Sequence, residues 1–190
     1  GWRRKSLDMP EFEKKVYGEK LIDGIEVMNG AEFYPKAATR AAELGLFVSS
    51  NTDIHNSTAL SYAAGGHLRN MTLILAKDKS LKSLKEALKA RRTLAYSYGS
   101  VAGDEQLLKD FFTASISFET LSVNAKGART MMMTNNSSFD YYLRFGNGNM
   151  VEFPAFTTRK ISTNNAGEVS FTVLNMWTVG EKNPLIKYKF

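Results

Sequence analysis

The sequence of 190 residues contains no cysteine. Disulfide frameworks, thiolate metal sites and a cysteine nucleophile are thereby excluded, while either redox compartment stays open. Histidine is nearly as scarce: His55 and His67 are the two examples, so imidazole chemistry in this chain falls to one of two positions. No apolar run reaches the ~18 residues that a membrane-spanning helix needs. The opening Gly1-Trp2-Arg3-Arg4 leads into polar sequence, not into the apolar core of a secretory signal. Long basic runs are also missing. The formal charge of +6 and the pI of about 9.4 are distributed over the whole chain. That distribution reads as a solvated surface and not as a nucleic-acid stripe, so nucleic acid is not expected as a partner.

What is present is ordinary globular composition, 43% hydrophobic and 23% charged, in a length that suits one large or two small domains. The first part alternates helix and strand signals. Asp8-Met9-Pro10-Glu11 reads as a helix start, with Met9, Phe12 and Val16 on one face. Ile22 to Met28 suits a buried strand. Tyr34-Pro35 opens a helix with a small-residue face (Ala37, Ala38, Ala41, Ala42, with Leu44), and Gly45 ends it. Leu46-Phe47-Val48 is the next strand. Met71 to Ala76 and Thr93 to Tyr98 are strands flanking a helix capped by Ser80, with Leu81, Leu84 and Leu88 on one face. Gly103-Asp104 starts a last helix through about Phe112. This alternation predicts parallel βαβ units.

After about Ala114 the helical period disappears. Alternating segments such as Ile116 to Val123, Tyr141 to Phe145 and Val169 to Val173 are separated by turn signals near Asn124–Gly127, Asn135-Asn136, Gly146-Asn147-Gly148 and Asn164–Gly167. About seven short strands in this stretch predict a small antiparallel β-sandwich of immunoglobulin-like (Ig-like) type. The expected division is therefore an α/β domain over residues 1–114 and an all-β domain over residues 115–190. Successive residues of a strand face opposite sides, so Met131-Met132-Met133 is read as strand packing and not as a soft-metal site. Tyr141, Tyr142, Phe145 and Trp177 are read as sandwich core in preference to a stacking patch.

The segment that carries chemistry is Thr52-Asp53-Ile54-His55, directly behind the strand Leu46-Val48. Parallel α/β folds place their sites at the carboxyl ends of strands. In Asp-x-His, a carboxylate oxygen and an imidazole nitrogen converge on one cation if the segment stays extended, a donor pair that suits Zn, Mn or Fe. A solvated surface loop accounts for the same three residues.

Ile22-Asp23-Gly24-Ile25-Glu26-Val27-Met28-Asn29-Gly30 resembles the "GIEV-x-N" strand of the PHP (polymerase and histidinol phosphatase) family. Tyr34-Pro35 through Leu46, then Thr52-Asp53-Ile54-His55, resembles that family's helix, strand and final Asp-x-His motif. Arg69 to Lys77, Leu84 to Ala90 and Arg92 to Tyr96 resemble its closing strand–helix–strand unit. The resemblance implies the C-terminal portion of a distorted (β/α)7 barrel followed by an appended β domain. It also implies a metal-dependent phosphoesterase, in which Asp53 and His55 are metal ligands and a metal-held hydroxide attacks phosphorus. The family's His-x-His and His-Pro are absent here, and Gly1-Trp2-Arg3 is similar to the residues that follow the His-Pro. On that resemblance most ligands and several strands precede this chain, which alone is expected to be inactive. A periplasmic or secreted setting is implied only by forms with an appended β domain. The alternative is a non-catalytic binding or structural module built around the β-sandwich.

Four further residues are candidates. Glu26 and Asn29, at the end of a strand, either orient a ligand or cap local backbone. His67, after Gly65-Gly66, contacts a substrate phosphate or is a solvated loop residue. Arg69 pairs with phosphate or with a structural carboxylate.

Overall fold

A computed structural model of the chain describes residues 9–66 and 68–190. The chain divides into two compact units. The first runs to Leu107 and takes back Trp177–Lys182; the second comprises Leu108–Met176 and Asn183–Phe190. The sequence boundary near residue 114 thus falls inside a helix, and no sequence signal marks the return of residues 177–182.

In the first unit the order is α1 (Glu11–Gly18), β1 (Gly24–Asn29), β2 (Glu32–Phe33), α2 (Pro35–Leu44), β3 (Phe47–Asn51), α3 (Thr58–Ala63), β4 (Met71–Ile74), α4 (Leu81–Lys89), β5 (Thr93–Ser97) and β6 (Ser100–Gly103). As expected, β1 and β3 pair in parallel across α2. Ala37, Ala38 and Ala41 of α2 are buried against Ile25, Val27 and Met28 of β1. Ala42 and Leu44 turn to solvent. Gly45 closes the helix with a φ of 67°, a left-handed cap that a side chain would strain. A close approach explains Gly24: it pairs with Phe47 in register, and a Cβ there would stand 2.3 Å from the Phe47 ring.

Three expectations are corrected. The β4–α4–β5 unit is antiparallel, not parallel. An apolar run fixes which faces of a strand are buried but not its direction. Here the Leu75 N–H donates to the Arg92 carbonyl at 2.9 Å, so the α4 excursion leaves and re-enters at the same end of the sheet. In α4 the Ser80 hydroxyl accepts from the Ser83 N–H, as the cap predicts, yet the buried residues are Ser83 and Ala87 and Leu81 is exposed. In α1, Phe12 is 76% exposed. The half-buried face carries Glu13, Val16 and Tyr17, held by the Arg40–Glu13 pair at 3.3 Å. The proposed Asp8 cap lies outside the described residues.

The two sheets of this unit, β2-β1-β3 and the sheet containing β6-β5-β4, meet through hydroxyl groups in place of a backbone ladder. The Thr93 hydroxyl accepts from the Val48 N–H at 3.1 Å and donates to the Val48 carbonyl at 2.8 Å. The Thr72 hydroxyl accepts from the Ser50 N–H at 3.1 Å and donates to the Ser50 carbonyl at 3.4 Å. These bonds satisfy backbone groups that would otherwise be orphaned at the free edge of β3.

The second helix-to-sheet transition is α5 (Glu105–Ser115), capped by Asp104, whose carboxylate accepts from the Gln106 and Leu107 N–H groups. The second unit then carries β7 (Ile116–Val123), β8 (Arg129–Asn135), β9 (Tyr141–Phe145), β10 (Met150–Phe153), β11 (Thr158–Ser162), β12 (Glu168–Val173) and β14 (Leu185–Lys189), while the two-residue β13 (Met176–Trp177) straddles the division. The seven strands form antiparallel sheets ordered β11-β8-β7 and β10-β9-β12-β14. Phe112 of α5 sits edge-on to Tyr141 and Phe171 at 4.7 and 5.5 Å, and Phe118 sits edge-on to Tyr188 at 4.6 Å, linking β7 to β14. Met131 and Met133 are buried and Met132 is not, as strand alternation requires. Tyr142 points outward at 44% exposure, and Trp177 belongs to the first unit beside Phe33; neither is sandwich core.

Candidate metal centre

The site grows from the carboxyl end of β3. Asn51 ends the strand, and the chain then bends: Asp53 takes a left-handed φ of 51°. The extended geometry anticipated for Asp-x-His is therefore not what brings the pair together. Aspartate tolerates the left-handed region because its short side chain can bond locally. This bend carries Asp53 Oδ1 to 3.7 Å from His55 Nε2, with both side chains largely exposed, at 64% and 89%. Two ligands of one cation at ordinary Zn or Mn bond lengths stand about 3–3.5 Å apart, so the pair needs only a small adjustment to share a metal. Among the described residues, no group of three or more His, Asp or Glu side chains could hold an ion. The chain thus supplies a fitting pair, not a closed set.

Asp53, His55 and Arg69 line one open concavity of about 590 Å³ between the end of β3 and the start of β4. Arg69 is exposed there. Glu26 and Asn29 stand beside it. The Asn29 amide donates to Glu26 Oε1 at 2.7 Å and the Asn51 amide donates to Glu26 Oε2. Glu26 is thereby bound on both oxygens, and Asn51 is itself a wall of the concavity. His67 lies outside the described residues.

Sequence reasoning missed the knot beneath this loop. Asn70, only 4% exposed, accepts from the Tyr62 hydroxyl at 2.8 Å. Its amide donates to the Gly30 carbonyl at 2.8 Å and to the Ser50 hydroxyl at 2.9 Å. Ser50 passes its own proton to the Tyr96 carbonyl at 2.8 Å. Carbonyls only accept, so the orientation of the Asn70 amide and every proton in the chain are determined. Ser50 precedes Asp53 by three residues and Asn70 follows Arg69, so one buried network fixes both rims of the concavity. Burial, aided by Tyr98, holds the Tyr62 phenol above its ordinary range. The available signal was an Asn immediately before an apolar strand, which sequence alone cannot distinguish from a turn. A second cavity, of about 340 Å³, is lined by Ala38, Leu46, Thr93 and Asp104 and contains none of the candidate residues.

Neither a protein-family model nor a curated protein matches the chain. It is similar to a solved structure from Bacteroides vulgatus, described as a two-domain protein containing a predicted PHP-like metal-dependent phosphoesterase. The identity is 25% and the TM-score 0.87, over 99% of this chain and 58% of that one. The chain therefore spans less than two thirds of that protein's length. The likeness is to a mixed α/β, two-domain protein that contains a predicted metal-dependent phosphoesterase.

Proposed function

We propose that the chain is part of a PHP-type metal-dependent phosphoesterase, the end of its (β/α)7 barrel followed by an Ig-like β-sandwich. The observation that carries the reading is the approach of Asp53 Oδ1 and His55 Nε2 at the carboxyl end of a parallel strand. The 25% identical neighbour of that class supports it, as does the likeness of the Gly24–Asn29 and Thr52–His55 segments to the family's motifs. The antiparallel sheets of the second unit, one of three strands (β7-β8-β11) and one of four (β10-β9-β12-β14), support the Ig-like reading.

In this reading Asp53 and His55 are two ligands of a site whose remaining histidines and carboxylates lie outside this chain. A divalent ion (Zn, Mn or Fe) bound there supplies Lewis-acid activation of water and screens the charge that builds on phosphoryl oxygens. The chain's own residues do the positioning. The Asn70 knot holds the loop, Glu26 braces Asn51 at its foot, and Arg69 faces the same concavity with a guanidinium that suits a phosphate oxygen pair. The substrate is a small phosphomonoester or phosphodiester.

The test is hydrolysis of a generic phosphoester, with added Mn or Zn, by the protein extended upstream until it includes His-x-His and His-Pro motifs. Asp53→Ala and His55→Ala should each remove turnover by several orders of magnitude. Arg69→Ala should mainly raise KM. Full activity in a folded His55→Ala protein would overturn the reading, and inactivity of an extended protein with every ligand present would favour a non-catalytic module.

A further inference from the structure

A third concavity of the first unit, about 350 Å³ in volume, is walled by Glu32, Phe33, Tyr98 and Trp177. It belongs to the same end of the sheet as the β1 terminus, because the Ser97 hydroxyl on its wall donates to the Gly30 carbonyl. We propose that it binds an alkylammonium group.

Three aromatic residues and one acidic residue are among those that line it. Ring faces carry negative potential and a carboxylate adds to it, so both components favour a cation. Glu32 accepts from the Tyr34 hydroxyl at 2.7 Å, which restrains the carboxylate. The ring geometry separates a rounded cation from a flat ligand. Phe33 and Trp177 pack directly on one another, with centroids 6.3 Å apart and planes tilted by 34°, so they leave no parallel slot for a planar base. A compact ammonium head does not require parallel faces. The chain's net charge of +6 repels cations in general, so a cation held here is held by local contacts.

Tyr98 adds an independent observation. It and Gly99 form the two-residue turn between β5 and β6, with φ of 44° and 80°. Such turns favour Asn-Gly or Asp-Gly, and a bulky residue in the left-handed region is uncommon. The strain places a 42% exposed ring on the concavity wall, where it also packs 5.5 Å from Tyr62. The site needs no metal and stands independently of Asp53 and His55.

The experiment compares choline with its neutral isostere 3,3-dimethyl-1-butanol at constant ionic strength. Trp177 fluorescence is read in a Trp2→Phe background, which removes the other indole. Choline should bind saturably and about tenfold more tightly than the alcohol. Glu32→Gln should abolish that preference. Tyr98→Asn, which suits the turn and so preserves the fold, should weaken choline severalfold. Absence of saturation, equal affinity for the two probes, or unchanged choline binding in both variants would overturn the proposal.

Discussion

The two units solve the same problem with different materials. The second is stitched by antiparallel backbone ladders around an aromatic core in which Phe112, Tyr141 and Phe171 meet edge to face. The first joins its two sheets through the hydroxyls of Thr72 and Thr93 and centres on the Asn70 knot. An apolar core tolerates change in proportion to the volume lost, whereas a buried polar network fails when one partner is removed. The unit held by the polar network is the one that carries the candidate chemistry, where orientation matters more than bulk.

The comparison can be broken at several points. The largest effect is expected from Phe112→Ala, which empties a fully buried ring site in the second unit and should cost about 3–5 kcal/mol in denaturant unfolding. A related expectation concerns fragments: one starting at Leu108 keeps this ring and should fold more stably than one starting at Ser115, as amide dispersion would report. Next comes Asn70. Asn70→Ala leaves the Tyr62 hydroxyl, the Gly30 carbonyl and the Ser50 hydroxyl short of a partner and should cost about 2–3 kcal/mol. Asn70→Asp loses no volume but removes both amide donors, so it should cost nearly as much. A small Asn70→Asp effect would show that the knot acts through packing, and the contrast between the units would dissolve.

Alkaline pH gives a smaller, graded contrast. Burial raises the phenols of Tyr141 and Tyr188 in the second unit and of Tyr62 in the first above the ordinary value of 10.0. Each folded phenol keeps its proton at a pH where the unfolded chain has released it. The stability tied to these groups is therefore complete below pH 10 and declines as pH rises above it. Two of the three groups lie in the second unit, so its unfolding midpoint should fall more steeply as pH rises above 10. Tyr141→Phe should flatten that slope.

Much of this was legible in sequence where a local rule decides the outcome. The Ser80 cap, the alanine face of α2, the Gly45 terminus and the alternation of Met131 to Met133 each follow from the nearest few residues. The direction of β4 against β5 did not, because an apolar run has no arrow. The return of Trp177 to the first unit did not, because its aromatic neighbourhood is set by residues more than 140 positions away. For the candidate site, Asp53 and His55 were legible as a spaced pair. The left-handed bend that brings them together and the Asn70 knot that supports them depend on contacts across β1, β3 and β4. Such contacts leave no periodic trace.

The central claim is that Asp53 and His55 are metal ligands, and it can be tested on this chain directly. With imidazole nitrogens observed by long-range proton–nitrogen correlation NMR, Mn should broaden the His55 signals selectively, with weak affinity because the set is open. Asp53→Asn should abolish the broadening. Broadening that is absent at His55, or that survives unchanged in Asp53→Asn, would contradict the account.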